Sequence, residues 1–447
     1  MIPDDWRVGE VAVVGLGKSG VAATQLLARQ GVRVYASDAA RTPAAAIAGL
    51  RGLRGVEVEV GRHDLDRIRA AAGVVVSPGV PPDAPPLAAA RAARVPIVSE
   101  LDLGFRALAG VRCMAITGTN GKTTTTALAA HLLQAGGVTA AAAGNIGRPL
   151  ADIAVAGDRY AWLAVEVSSF QLHDSPHFAP EIGVVTNLAP DHLDRYPSVE
   201  AYYGDKRLLF RNATAASAWV LNGDDPAVLE LAAGAPGTRA SFSLRGTADA
   251  WYEAAAARLV LEGAPLLPRA ELQLLGDHNV ANALAAALAA RRAGVAPGAI
   301  AEGLRSFRAL PHRLEAVAVV HGVLWINDSK ATNVASTAVA VAAMHRPFVL
   351  LLGGRHKGEP YTRLAPLLAQ RCKLVIAYGE AGALVENDLR GRVPLERGGS
   401  FEDVVARARR AAAPGDAVLL SPACSSYDMF TNYEARGATF RLLATAT

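Results

Sequence analysis

The stretch Ala115-Ile116-Thr117-Gly118-Thr119-Asn120-Gly121-Lys122-Thr123-Thr124 decides the fold. The apolar run Cys113 to Ile116 reads as a buried strand, the glycines as a turn, and Thr123 to Gln134 as a helix. Strand, Gly-rich turn and helix make a phosphate cradle. Loop and helix N-terminal N–H groups face the anion, Lys122 adds a point charge, and a Thr hydroxyl reaches Mg²⁺. The usual nucleotide loop has a Gly where Ile116 stands, so this loop is a shortened form.

At 447 residues the chain exceeds a single core, and two or three domains are expected. An apolar fraction of 51% with 19% charged residues fits a soluble globular protein. The net charge is +4, yet no block of Lys and Arg appears, so nucleic acid is not implied and the cations suit anionic small molecules. Cys113, Cys372 and Cys424 lack metal spacing, which fits a reduced, cytoplasmic protein. Met1 to Glu10 carries no apolar signal segment, and the Ala-rich run Val280 to Ala290 stops at Arg291-Arg292, too short for membrane insertion.

Working toward the N-terminus, Val11 to Val14, the turn Gly15-Leu16-Gly17-Lys18-Ser19-Gly20, a helix to Arg29 and Val32 to Ala36 form a βαβ unit. Its Gly-rich turn suits NAD or a uridine diphosphate group, and Asp38 is either an acceptor for base or ribose or an exposed strand-end residue. Val74 to Val76 ends in Ser77-Pro78-Gly79, which leaves N–H groups near Ser77 and Gly79 for a ligand or a plain turn. Val95 to Val98 closes this domain near Glu100.

Toward the C-terminus, Ala140 to Ala143 leads to Gly144-Asn145-Ile146-Gly147, where Asn145 presents an amide to substrate or closes a turn. Trp162 to Val165 delivers Glu166 at a strand end, where open parallel sheets bind ligands; it can face a cation held at Thr123. Ile182 to Val185 runs toward His192, a metal ligand or an orienting group. Tyr202 to Phe210 is helical and carries Lys206, which by residue type alone belongs in solvent. Asn279 and Asn282 share a face of a helix's first turn, for capping or for a nucleotide. After Leu310, further strands at Trp325 to Ile326, Phe348 to Leu352, Lys373 to Tyr378 and Val418 to Leu420 end in polar or Gly-rich turns, another open α/β sheet with a ligand edge.

In order, Gly118 to Thr123, Glu166-Val167-Ser168-Ser169-Phe170-Gln171-Leu172, His278-Asn279 to Asn282, Leu310-Pro311-His312-Arg313 and Asn327-Asp328-Ser329-Lys330-Ala331-Thr332-Asn333 resemble the Mur ligase family of cell-wall enzymes. Gly15 to Gly20, the stretch Asp191 to Tyr196, and Leu420 to Phe430 extend the resemblance from about Val11 to Gly437. It implies three α/β domains: a Rossmann-like UDP-binding domain at 1–100, a central P-loop ATPase-type domain at 101–309, and a Rossmann-like amino-acid-binding domain at 310–447. It implies ATP-dependent joining of D-glutamate to UDP-N-acetylmuramoyl-L-alanine in cytoplasmic peptidoglycan precursor synthesis, by a monomer.

The resemblance also implies site residues. Lys18, Ser19, Asp38, Ser77 and Gly79 serve the UDP group, and Asn145, Ser168 and Gln171 also serve substrate. ATP meets Gly118, Thr119, Asn120, Gly121, Lys122, Thr123, Thr124, Asn279, Arg313, Asp328 and Lys330. Thr332, Lys357, Ser425 and Phe430 surround D-glutamate. Lys122, Glu166, His192 and Lys206 are catalytic; Lys206 matches a lysine carried as a carbamate. Two Mg²⁺ are expected, one near Thr123 and Glu166 and one near His192 and Lys206. Rival readings are a ligase of the family or a folate glutamyl ligase adding another amino acid, and a UDP-sugar binder or NAD-dependent oxidoreductase using Gly15 to Gly20.

Overall fold

Short apolar runs, each stopped by Gly, Pro or a polar turn, pair into three sheets. The computed structural model describes residues 3–40, 44–192 and 195–446; within the stretch Asp191 to Tyr196, Leu193 and Asp194 lie outside the described residues. The chain forms two compact units, Met1–Glu271 with Ala281–Arg305, and Leu272–Val280 with Ser306–Thr447.

The first sheet holds β1 (Glu10–Val14), β2 (Arg33–Asp38), β3 (Val56–Val60), β4 (Gly73–Val76) and β5 (Ile97–Ser99), in the order β3-β2-β1-β4-β5. All its pairings are parallel. Val11 and Val13 face one core and Ala12 and Val14 the other, so β1 is apolar on both faces, as a parallel strand covered on both sides must be. The strand order reverses at β1, which opens a crevice between the loops after β1 and β4.

The second sheet contains β6 (Arg112–Thr117), β7 (Ala140–Gly144), β8 (Trp162–Glu166) and β9 (Ile182–Val185), each within a residue or so of the expected run, and β10 (Ala218–Asn222). It continues through β11 (Thr238–Ser243), β12 (Ala250–Glu253), β13 (Arg258–Leu261) and β14 (Ala264–Pro268), in the order β14-β13-β12-β11-β10-β9-β6-β8-β7. The last two pairings are antiparallel. β12 and β14 are short and only partly buried, whereas β13 carries the buried run Leu259-Val260-Leu261, which sequence reading passed over.

The helix expected at Tyr202 to Phe210 instead spans Val199–Arg207, with Ser198 accepting from the N–H of Ala201, and ends in a tighter 3-10 turn at Leu208–Phe210. Ser198 is a favourable N-cap, and it sets the start ahead of the apolar residues.

The third sheet holds β15 (Glu315–Val320), β16 (Val323–Asn327), β17 (Phe348–Gly353), β18 (Cys372–Tyr378), β19 (Leu395–Arg397) and β20 (Ala417–Leu420), in the order β15-β16-β20-β17-β18-β19. Only the β15–β16 edge pairing is antiparallel. Apolar cores cover both faces. Among the described residues, no helix is long and apolar enough to cross a membrane.

Candidate active site

The loop after β6 is held from its neighbour strand. Thr119 N–H donates to the carbonyl of Asn187 (2.8 Å), and Asn120 N–H to its side-chain oxygen (2.9 Å). The Thr186 hydroxyl and Asn187 amide both return bonds to the carbonyl of Asn120. Gly118 has φ +139°, and a Cβ there would stand 2.0 Å from Thr186 Oγ1. At Gly121, φ +82°, a Cβ would meet Asn282 Oδ1 at 2.3 Å. Only glycine fits either place. Gly121 caps the helix Lys122–Ala135, so the N–H groups of Lys122, Thr123 and Thr124 open its first turn. Lys122 Nζ donates to the carbonyls of Gly118 (3.0 Å) and Thr119 (2.8 Å).

Lys206 is not a solvated lysine: it is 1% exposed, and Nζ donates to the same carbonyl of Gly118 at 2.8 Å. The amphipathic pattern of its helix turns this position inward, against the phosphate loop. Burial, then repulsion from Lys122, push its pKa well below the ordinary lysine value, against the pull of Asp191, Asp205 and Glu166. Its ammonium lies 4.6 Å over the ring of Tyr202. The other neighbours of that ring include His192, at 6.0 Å between centroids. His192 itself, at φ +54°, is edge-on to Phe170 and half-exposed. Tyr202, which sequence reading passed over as a helix residue, thus stands beside both Lys206 and His192. Its hydroxyl lies 3.4 Å from the Thr119 hydroxyl.

Glu166 ends β8, beside Ile116 of β6 in the pairing register, and is 3% exposed. Asn145 Nδ2 donates to its Oε1 at 3.0 Å, while the buried Oε2 has no partner among the described residues. A buried carboxylate oxygen without a donor is costly alone and suits a hard cation. Among the described residues no group of three or more His, Cys, Asp and Glu gathers, so a Mg²⁺ there would draw its other ligands from phosphate, hydroxyl and water. Ser168 and Gln171 spend much of their capacity on each other, as a capping box at the helix Ser169–His173. Gln171 keeps a buried Nε2 without a partner among the described residues.

Along the edge of the first sheet runs a cavity of about 610 Å³, lined by Lys18, Ser19, Asp38, His63, Ser77, Gly79 and Asn145 among others. The expected residues Lys18, Ser19, Asp38, Ser77 and Gly79 are thus brought together with Asn145. Ser77 Oγ is committed to the carbonyl of Gly15 (2.8 Å), and the Gly79 carbonyl accepts from Arg195 (3.1 Å). Ser77 therefore shapes the crevice and offers its surroundings more than its hydroxyl.

In the second unit, Asn279 in the first turn of the helix Asp277–Arg292 is buried and donates to the carbonyl of Leu275 at 2.8 Å. Asp328 follows β16 and accepts from the N–H of Leu314 (3.1 Å) and from Ser421 Oγ (2.8 Å), which ties it to the segment carrying Arg313. Burial raises its pKa to about 7. Lys330 Nζ lies 5.3 Å over the Tyr433 ring. Lys357 Nζ donates to the hydroxyl of Thr332 at 3.3 Å, so those two expected partners meet directly. Ser425 pairs by backbone bonds with Arg355 at 2.9 and 3.1 Å. Phe430 packs edge-on to Phe401, and its contact is with that core residue.

Sequence reading also missed Arg436. It is fully buried and donates to Ser329 Oγ (2.9 Å), the Ser329 carbonyl (2.8 Å) and the Cys424 carbonyl (3.1 Å). It welds the loop of Lys330 and Thr332 to the loop of Ser425. An Arg-Gly pair in an ordinary helix gave no signal of this.

Comparison with known proteins covers the same ground. Residues 9–99 match the Mur ligase MurD-like N-terminal domain, 116–290 the Mur ligase middle domain, and 312–424 the Mur ligase glutamate ligase domain. The UDP-N-acetylmuramoylalanine–D-glutamate ligase of Acidobacterium capsulatum is 42% identical over 445 residues, covering 98% of this chain and 96% of its own. The ligase of the same name from Myxococcus xanthus is 42% identical over 446 residues, with 98% of each covered. Among solved structures, the UDP-N-acetylmuramate-alanine ligase MurC of Thermotoga maritima shares the fold with a TM-score of 0.63 at 20% identity, covering 98% of this chain and 100% of its own. A pseudomurein peptide ligase type C from Methanothermus fervidus aligns with a TM-score of 0.60 at 18% identity, with 98% and 100% covered. Matched along nearly its whole length by these domains and relatives, the chain belongs to the Mur ligase family.

Proposed function

We propose that this protein is the ATP-dependent ligase that joins D-glutamate to UDP-N-acetylmuramoyl-L-alanine, forming ADP and phosphate, in peptidoglycan precursor synthesis. The observation that carries the reading is the meeting of Lys122 and Lys206 on the carbonyl of Gly118. It joins a phosphate loop to a buried amine within one site. Support for the substrate pair comes from the two relatives, whose names state it.

A carboxylate does not expel oxide, so the L-alanyl carboxylate is first phosphorylated by ATP. The D-glutamate amine then attacks the acyl phosphate, a tetrahedral intermediate forms, and phosphate leaves as the amide closes. Positioning and charge neutralisation carry such a reaction. The loop N–H groups from Gly118 to Thr124 and Lys122 hold the β and γ phosphates. Thr123 and Glu166 would hold one Mg²⁺, and His192 with a carbamylated Lys206 a second. When bound, these cations neutralise charge on phosphate and acyl oxygens. Lys206 suits the modification because a buried, easily deprotonated amine adds CO₂ and becomes an anion. Lys18, Ser19, Asp38, Ser77, Gly79, Asn145, Ser168 and Gln171 serve the UDP-sugar substrate. Asn279, Arg313, Asp328 and Lys330 serve the nucleotide. Thr332, Lys357, Ser425 and Phe430 serve D-glutamate, with Lys357 matching a carboxylate.

The three sheets support boundaries near 1–100, 101–309 and 310–447. The segment Leu272–Val280 groups with the last of these bodies in space. We also propose a cytoplasmic monomer. The deciding experiment is phosphate release from ATP with Mg²⁺, UDP-N-acetylmuramoyl-L-alanine and D-glutamate. Release that depends on D-glutamate and not on L-glutamate is expected. No release with this pair, or equal release with L-glutamate, overturns the proposal.

A further inference from the structure

We infer that His63 reads the nucleobase of the UDP-linked substrate through its Nε2. The inference rests on the function proposed above and names a contact within the cavity of the first sheet.

The strand order fixes which end of that cavity takes which part of the ligand. The turn after β1 and the turn after β4 flank the point where the order reverses, and a helix starts at Lys18. A pyrophosphate needs free N–H groups and a helix N-terminus, so it belongs in this crevice. Beyond β1 the sheet continues through β2 to β3. Asp38 ends β2, and His63 follows β3, its neighbour Arg62 bridging to Asp38. The nucleoside that extends along this side meets Asp38 first and His63 after it, at the place of the base.

Asp38 is already engaged by the chain. Its Oδ2 accepts from Leu16 N–H at 2.7 Å and its Oδ1 from Ala40 N–H at 2.8 Å. It shapes the turn that receives the phosphates and retains lone pairs for the ribose. His63 is differently placed. Its Nδ1 bonds the hydroxyl of the fully buried Ser37 at 2.9 Å, which fixes the ring. Nε2, on the other side of the imidazole, has no partner among the described residues, and His63 lines the cavity.

Burial lowers the pKa of the ring, against the pull of Asp38 and Glu59, and so favours the neutral imidazole. A neutral imidazole offers one donor or one acceptor. Uracil presents an N–H flanked by two carbonyls, so either tautomer finds a partner there. Cytosine presents an amino group and a bare ring nitrogen in those places, a different pattern.

The test is calorimetric titration of the full chain with UDP, with UMP and CMP compared as competitors. His63→Ala should weaken UDP binding about five- to tenfold, as expected for one lost hydrogen bond, and should narrow the preference for UMP over CMP. His63→Phe keeps a ring of similar size and serves as the second variant; it should lose the same affinity while still melting cooperatively, at a temperature lowered only by the loss of the Ser37 bond. The KM for ATP should stay within about twofold in both, since a single neutral hydrogen bond is removed elsewhere. If wild type and both variants bind UDP alike, or if His63→Phe keeps full affinity, the assignment of His63 is overturned. If the wild type binds no UDP, the function proposed above falls with it.

Discussion

Lys206 Nζ donates to the carbonyl of Gly118 at 2.8 Å, across 88 positions of sequence. A buried ammonium is thereby pinned against a phosphate loop that already carries Lys122, and each cation disfavours the other. The charged form of the amine is therefore disfavoured relative to that of a solvated lysine. We expect Lys206→Ala to lose roughly 100-fold or more in phosphate release, as removal of a group that orders a metal site does. Added formate or acetate should restore part of it by replacing the carbamate oxygens. Full activity without any additive would remove the carbamate from the mechanism.

Gly118→Ala tests the loop geometry. The new methyl would sit 2.0 Å from Thr186 Oγ1 at a φ of +139°. Strain of this kind costs about 1–3 kcal/mol, and here the neighbouring bond to Asn120 must also break. Urea denaturation should show the loss, and the KM for ATP should rise at least about tenfold. An unchanged KM for ATP would mean that the nucleotide does not use this loop.

Arg436→Lys tests how the acceptor loops are held. Lysine keeps the charge but cannot reach Ser329 and Cys424 together. Each buried carbonyl or hydroxyl left without its donor costs about 1–3 kcal/mol. In folded protein the KM for D-glutamate should rise, with the KM for UDP-N-acetylmuramoyl-L-alanine held. A uniform fall in kcat with neither KM moved would assign Arg436 to stability alone.

Glu100 sets a pH dependence. It is fully buried; Oε1 accepts from Ala151 N–H at 2.7 Å and Oε2 has no partner among the described residues. Burial, aided by Asp152, raises its pKa from 4.5 to about 7, against the backbone donors. The folded state then keeps a proton that the unfolded chain has released between about pH 4.5 and 7. Its contribution falls as pH rises through that window, by up to about 1.4 kcal/mol per unit, and levels off above it. Glu100→Gln should remove this slope from urea midpoints measured across the window. Parallel curves for wild type and variant would rule the effect out.

Most of the architecture could be read from local signals. Runs such as Val11 to Val14 and Phe348 to Leu352 are apolar at every position, which marks strands covered on both faces. The strands β11 to β14 were not read this way: exposed or half-buried positions interrupt β11, β12 and β14, and the short buried run Leu259 to Leu261 of β13 was passed over. Of the site, Lys122 and Glu166 were legible from their places at the ends of strand runs. Lys206 was not legible from residue type, nor were Tyr202, His63 and Arg436. Each is set by a partner far along the chain: Gly118, Thr119, Ser37, Ser329.

By itself, then, the order of residues determined the α/β class, the phosphate loop and the strand ends where ligands collect, since each follows from a few adjacent side chains and their backbone preferences. Which lysine loses its water, which carboxylate oxygen stays without a donor and which histidine lines a cavity were decided only in the folded chain. Burial and electrostatic coupling depend on neighbours that sequence distance does not reveal.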